Sequence, residues 1–403
     1  MAPRRKPTSE KGSALRDEAK AWLDRITSAR KAEQLWSKDA RIAVATYTGE
    51  TDEVADADEI DFNILYSNVE TMVPATINSQ PQPDIRRRFA QDDPVAKDFS
   101  ELLECVMRIQ IDDGRLQVEL ESVAQDAYLA GRGIPRIRFR SNFEKDGLSE
   151  EDQEDVAATS GEDGEAEDET GADETPQGER VTNERICFEA VSWADFVRGP
   201  AKRWDDVPWV AFKHTMPSED VDEFADPELV AAQMTPDPRV DKKGGDHVVW
   251  EIWVKKTREV LFIREGKQEI IKRIPDPLGW SGFFPNTRPV QPIELTGRLM
   301  PVNPYKIYRR LAEELNTTTI RINAILKQLK VKGVYAGDEA DIQKLLNADT
   351  NDFVPVDADR WAQVGLDKAI MFWPVDKLIT VLRELYGVQD QTKAAIYEIY
   401  RHF

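Results

Sequence analysis

The sequence predicts an α+β protein in which long helices are joined to an antiparallel β-sheet region. Three observations predict it. Apolar residues recur at spacings of four and three through segments spread over the whole chain. Residues 248–274 instead alternate with a period of two, around a Glu265-Gly266-Lys267 turn. Ten tryptophans among 403 residues supply apolar area for a packed interior, even though 32% of the chain is charged.

Residues 1–12 are polar and basic, with Arg4, Arg5 and Lys6, and read as a flexible arm without the apolar core of a secretory signal. One long helix is expected over 13–47. Leu15, Ala19, Trp22, Ile26 and Ala29 form its stripe, which resumes at Trp36, Ala40 and Ala43. Ser13 is placed to cap it, and Gly49 follows its end. Six acids then crowd residues 52–61, a solvated linker. A second helix starts near Ile60, with Leu65, Val69, Met72 and Val73 inward, and Pro74 should kink or end it. Pro81 and Pro83 force an extended run. A third helix follows Pro94, with Val95, Phe99, Leu102, Val106 and Ile109 as a core stripe. A fourth spans 115–130 and is stopped by Gly131. Residues 134–140 alternate as a strand with a basic face of Arg136, Arg138 and Arg140.

Residues 144–180 hold sixteen acids and two bases, two thirds of the net charge of −21. Few apolar residues occur there, so the insert is expected to be disordered and to join two strands of one sheet. Strand patterns return at 185–189, 193–197 and 204–213, a polar helical stretch lies within 217–241, and the 248–274 meander follows. Residues 275–304, with Trp280, Phe283 and Phe284, predict an ordered irregular segment. The strongest helix is 305–332, with Leu311, Leu315, Thr318, Ile322, Ile325 and Leu329 on one face and Gly333 as its stop. A short α/β connector is expected over 334–356, helical at 340–346 and extended at 353–356, and a last helix at 378–400 follows Pro374. The units implied are an arm, helix and linker (1–60), a helical block with a strand (61–143), the acidic insert (144–183), a β-rich region (184–300) and a long-helix region (301–403).

The chemistry-bearing residues exclude several classes. No glycine-rich phosphate loop precedes a Lys and a Ser/Thr; Gly131-Arg132-Gly133 is too short and reads as a helix cap. His214, His247 and His402 share no metal-ligand spacing, and Cys105 and Cys187 form no zinc or redox pair. A metal-dependent nuclease would draw on Asp205, Asp206 and Glu251, but adjacent aspartates are ordinary turn formers. A non-enzyme without cofactor or metal is the expectation. Arg86, Arg87 and Arg88, and Arg136 and Arg138, are candidates for subunit contacts, with ion pairs inside the chain as the alternative. Arg321, Lys327 and Lys330 near the end of the strongest helix suit its dipole, or transient phosphate contact along a DNA channel. They are too sparse for sequence-specific DNA recognition. No apolar run approaches the ~20 residues of a membrane span.

The chain also resembles the portal proteins of tailed bacteriophages, the podovirus-type head–tail connectors. The resemblance rests on 62–71 (FNILYSNVET), Pro81-Gln82-Pro83-Asp84, Asp93-Pro94-Val95-Ala96 and 126–133 (DAYLAGRG). Further on it rests on Gly282-Phe283-Phe284-Pro285 and on the run from Pro304-Tyr305 through Asn323 to Lys332-Gly333-Val334-Tyr335. It covers residue 60 to the end, apart from the acidic insert. It implies a wing-and-stem architecture and a structural subunit of a ring, commonly of twelve copies, around a tunnel at one capsid vertex. Through that tunnel double-stranded DNA passes non-specifically during packaging and ejection. The implied partners are further copies of the chain, the terminase, tail or adaptor proteins, and the major capsid or scaffolding protein; no membrane and no cofactor are implied. The implied location is the virion, after assembly in the bacterial cytoplasm. Another phage adaptor or structural protein is the alternative. Relatives continue past the position of Glu398-Ile399, where this chain has Tyr400-Arg401-His402-Phe403, so a C-terminally shortened copy is expected.

Overall fold

The computed structural model describes residues 10–50, 62–86, 94–145, 179–233, 245–329, 333–337, 353–357, 370–372 and 375–403. The architecture is α+β, as expected. The basic arm at 1–9, the acidic linker and the bulk of the acidic insert lie outside the described residues.

Two helices, α1 (Glu10–Ala32) and α2 (Gln34–Thr48), stand where one was expected. The break falls at Glu33, whose carboxylate lies 2.9 Å from the buried Arg132 guanidinium. It lets the two halves of one stripe cover different surfaces. Ala19, Trp22 and Ile26 pack on the main sheet, while Trp36 and Ala40 pack with Ala130 and Trp193. The Trp36 indole N–H donates to the Ala130 carbonyl at 2.7 Å. Helix α3 (Ile64–Thr76) is capped by the Asn63 side chain and carries Pro74 within its last turn. A proline so near the end removes one backbone bond without stopping the helix there.

Helices α4 (Pro94–Asp113) and α5 (Leu116–Ala130) follow. The expected core stripe of α4 is corrected: Val95, Phe99, Leu102, Val106 and Ile109 are all exposed, and only Ile111 is buried. The reason is that α4 meets the rest of the chain through its C-terminal end, where Gln110 bonds the Ile186 N–H and Gly114 abuts Phe188. Helix α5, by contrast, buries Val123, Ala124, Ala127, Tyr128, Leu129 and Ala130, and ends on left-handed Gly131 (φ 86°).

Strands β1 (Ile134–Lys145) and β2 (Glu179–Val191) form an antiparallel hairpin from Ile134↔Val191 out to Lys145↔Glu179. The acidic insert therefore joins two paired strands. The main sheet is a five-stranded antiparallel meander of β3 (Phe196–Arg198), β4 (Trp209–Pro217), β5 (Asp246–Val254), β6 (Glu259–Arg264) and β7 (Glu269–Pro275). The expected strand at 193–197 is reduced to β3, and 204–206 is a 3-10 turn ahead of β4. Short helices α6 (Ser218–Phe224) and α7 (Pro227–Gln233) adjoin β4 and β7.

Alternation along β5 divides the two faces of the sheet. Trp250, Ile252 and Val254 meet α1, while Trp253 joins Ile134, Phe283, Phe284 and Leu299 on the other side. At ~25 cal/mol per Å2, each buried aromatic adds a few kcal/mol to this core. The irregular 275–304 segment thus packs its Phe283-Phe284 pair under the sheet, as the aromatics require.

The chain ends in an excursion. Helix α8 (Pro304–Gln328) leads to a small sheet of β8 (Gly333–Gly337), β9 (Phe353–Asp357) and β10 (Ile370–Phe372), and α9 (Asp376–Tyr400) leads back. In that sheet β8 pairs parallel to β9 and antiparallel to β10. The expected helix at 340–346 lies outside the described residues. Tyr308 meets Tyr400 and Thr319 meets Gln389, so α8 and α9 are antiparallel. Their near halves pack with α2, α3 and α5 in one cluster. Their far halves expose Leu326, Val381, Tyr386 and Val388.

Candidate functional site

The residues singled out in the sequence fall into three groups. The carboxylates expected of a nuclease do not converge. Glu251 points to the β1 side of the sheet, where its oxygens are 2.6 and 2.8 Å from Arg136 Nη2. The same carboxylate accepts from the Trp253 indole at 2.7 Å and lies 2.8 Å from His214 Nε2. Burial pushes its pKa up, but the His214 bond and the Arg136 charge outweigh that and hold it at about 2. Glu251 is thus a saturated core anion. Asp205 and Asp206 sit in the 3-10 turn, the role adjacent aspartates commonly play. Among the described residues no three His, Cys, Asp or Glu side chains gather as a metal site would need.

The arginines divide. Arg136, expected at a subunit contact, is instead only 4% exposed and belongs to the core pair with Glu251, its guanidinium 4.4 Å from the Phe212 ring. The basic face of β1 therefore turns inward at its start, where β5 supplies the counter-charge. Further out, Arg138 is partly exposed beside Glu189 at 3.5 Å, and Arg140 is exposed. Arg86 is exposed and paired with Asp84 at 2.7 Å. Arg87, Arg88 and Lys330 lie outside the described residues. Arg321 and Lys327 are exposed on α8.

Three of the motif segments, 62–71, 126–133 and the run from Pro304, do meet. The Phe62 N–H donates to Asn316 Oδ1 on α8, and the Asn63 amide donates to the Thr46 and Tyr47 carbonyls at the end of α2. Asp126 accepts from the Trp193 N–H, and burial lifts its pKa to about 6 against that bond and the Arg132 charge. Gly131 and Gly133 allow the chain to pass against Val302 and Val123, where a Cβ would lie 2.3 and 2.0 Å from carbonyl oxygens. Asn303 caps α8 through the Lys306 N–H. Residues far apart in sequence thus build one junction of α2, α3, α5 and α8, from which the helix pair departs.

Two surfaces were not legible as such in the sequence. One is the exposed stripe of α4, where Val95 is 73% and Leu102 62% exposed. Its 4-3-4-3 spacing is the same for a core helix and for a helix awaiting a partner, so periodicity alone could not separate them. The other is a groove of about 920 Å3 between α1 and the β3 end of the sheet, lined mainly by apolar atoms of Ala29, Ala32, Pro200, Pro208, Trp209 and Leu299. At its wall Arg132 and Arg198 share Glu33, at 2.9 and 3.8 Å. Burial lowers the Arg198 pKa, Arg132 lowers it further, and Glu33 opposes both.

No protein-family model and no curated protein matches this chain. No helix among the described residues is long and apolar enough to cross a membrane.

Proposed function

We propose that this chain is a portal-type subunit, one copy of a closed ring that surrounds a passage for double-stranded DNA at a capsid vertex. The observation that carries the reading is the junction just described. Phe62-Asn63, Gly131 and the start of α8 are motif positions of the resemblance, and they hold the root of α8 to α2, α3 and the end of α5, while Asp126 and Gly133 fasten α5 itself to Trp193 and Val123. A helix, a small sheet and a returning helix suit a stem with a tip, and a rigid root suits a wing that holds the stem at a fixed angle.

Two further features support a subunit over a stand-alone protein. Exposed apolar surface is what a subunit keeps for its neighbours, and both the α4 stripe and, separately, the far halves of α8 and α9 expose large apolar side chains. The charge balance also suits a conduit, since outside the acidic insert the chain is only mildly acidic, and a tunnel that bound phosphate strongly would trap its cargo. In this reading Arg321 and Lys327 make transient phosphate contacts, and the terminase and tail or adaptor proteins dock on the assembled ring. Native mass measurement with negative-stain imaging of the purified chain tests the proposal. A closed ring of about a dozen copies is expected from cyclic symmetry; a chain that stays monomeric at all concentrations overturns it.

A further inference from the structure

The α4 stripe and the α1–β3 groove are complementary surfaces on different parts of one chain. Helix α4 presents Val95, Phe99, Leu102, Val106 and Ile109 as a seam, with Leu103 and Met107 beside it. The helix carries five acids (Asp98, Glu101, Glu104, Asp112, Asp113) against two bases (Lys97, Arg108). The groove is apolar within, and its rim has Arg25, Arg198 and Arg298 against Asp24 and Glu33. Glu33 is already neutralised by Arg132, so the rim is positive on balance. Arg198, its side chain only 9% exposed, lines the groove, donates to the Gly199 carbonyl at 3.2 Å and lies 3.8 Å from the Glu33 carboxylate, so it brings a cation to the groove that a partner's carboxylate could face.

We propose that the Phe99–Leu102 part of α4 on one copy seats in the groove of the next copy, with the acids flanking the seam set against the rim arginines. An apolar helix face entering an apolar groove is a common docking mode, and the charges fix its direction. Pairing α4 with α4 would instead bring two acidic helices together. Donor and acceptor surfaces differ, so the contact is head-to-tail and adds copies in one direction until the rotation closes. Closure into a ring rests on the portal reading; the contact itself does not.

Cysteine cross-linking tests it in the full-length chain. Cys105 is native and exposed on α4, beside the seam, and Ser28 is exposed on the groove wall. In a Cys187→Ser background, Ser28→Cys with a short bis-maleimide should yield a ladder of multimers that disappears when Cys105→Ser is added. Phe99→Asp, a change at an exposed position that leaves folding intact, should weaken self-association at least tenfold. Rings without the ladder overturn this contact and leave the portal reading standing. Cross-linked dimers that form through Cys105 without Ser28→Cys overturn it in favour of α4 pairing with itself. A monomer under all conditions overturns both.

Discussion

Removing the Arg136 guanidinium should cost this protein about 3–5 kcal/mol. Arg136 and Glu251 are 4% exposed each, and Arg136→Met would keep most of the volume while stranding the carboxylate. The Glu251 pKa falls from 4.5 to about 2 on folding, because the His214 bond and then the Arg136 charge outweigh burial, so these partners stabilise the folded carboxylate. Because the folded pKa is the depressed one, this stability is present above pH ~4.5 and is lost as pH falls through about 2. The assay is urea unfolding followed by tryptophan fluorescence, with Trp253 bonded directly to the carboxylate. Adding Glu251→Leu to Arg136→Met should restore much of the loss, since a buried pair removed together is far less costly than one partner removed alone. A single-variant cost below ~1 kcal/mol, or no coupling in the cycle, would refute the reasoning.

Asp126→Asn should behave in the opposite sense. Its folded pKa is raised to about 6, so its contribution is fully present below the unfolded value of 3.8 and fades as pH rises through about 6; melting temperatures from pH 4 to 8 should be flatter in the variant. Gly133→Ala places a Cβ 2.0 Å from the Val123 carbonyl oxygen and should cost ~3 kcal/mol or more, read as a lower thermal midpoint. Arg321→Glu, at an exposed position on α8, should leave stability within ~0.5 kcal/mol, measured by the same melt. In the portal reading the same change alters DNA packaging without altering ring assembly.

Helix and strand periods carried most of the fold. The stripes of α1, α2, α5 and α8 and the β5–β7 meander match their expected faces because each pattern meets a surface within the same chain. The failures share a cause, which is that a pattern names a face but not its partner. The α4 stripe has the spacing of a core helix, yet Phe99, Leu102, Val106 and Ile109 stay exposed among the described residues. Arg136 alternates with solvent-facing neighbours further along β1, but Glu251 lies opposite it, from a strand more than a hundred residues away. The continuous helical pattern breaks at Glu33, whose carboxylate pairs with Arg132, a contact that no local propensity encodes. The Gly131–Gly133 pair was legible as a cap, while its second task, passing close to Val123 and Val302, required the tertiary fold.

The β1–β2 hairpin leaves the body through one residue and re-enters through its cross-strand neighbour, Lys145 opposite Glu179. A segment joined that way is topologically a guest. For the flexible connection that its composition predicts, length enters the folding free energy through the logarithm of the loop, so doubling it costs about 0.6 kcal/mol. Residues 146–178 can accordingly be exchanged for a reporter, an affinity peptide or a small folded module whose own termini lie close together. The hairpin then offers a grafting socket at its Lys145–Glu179 end.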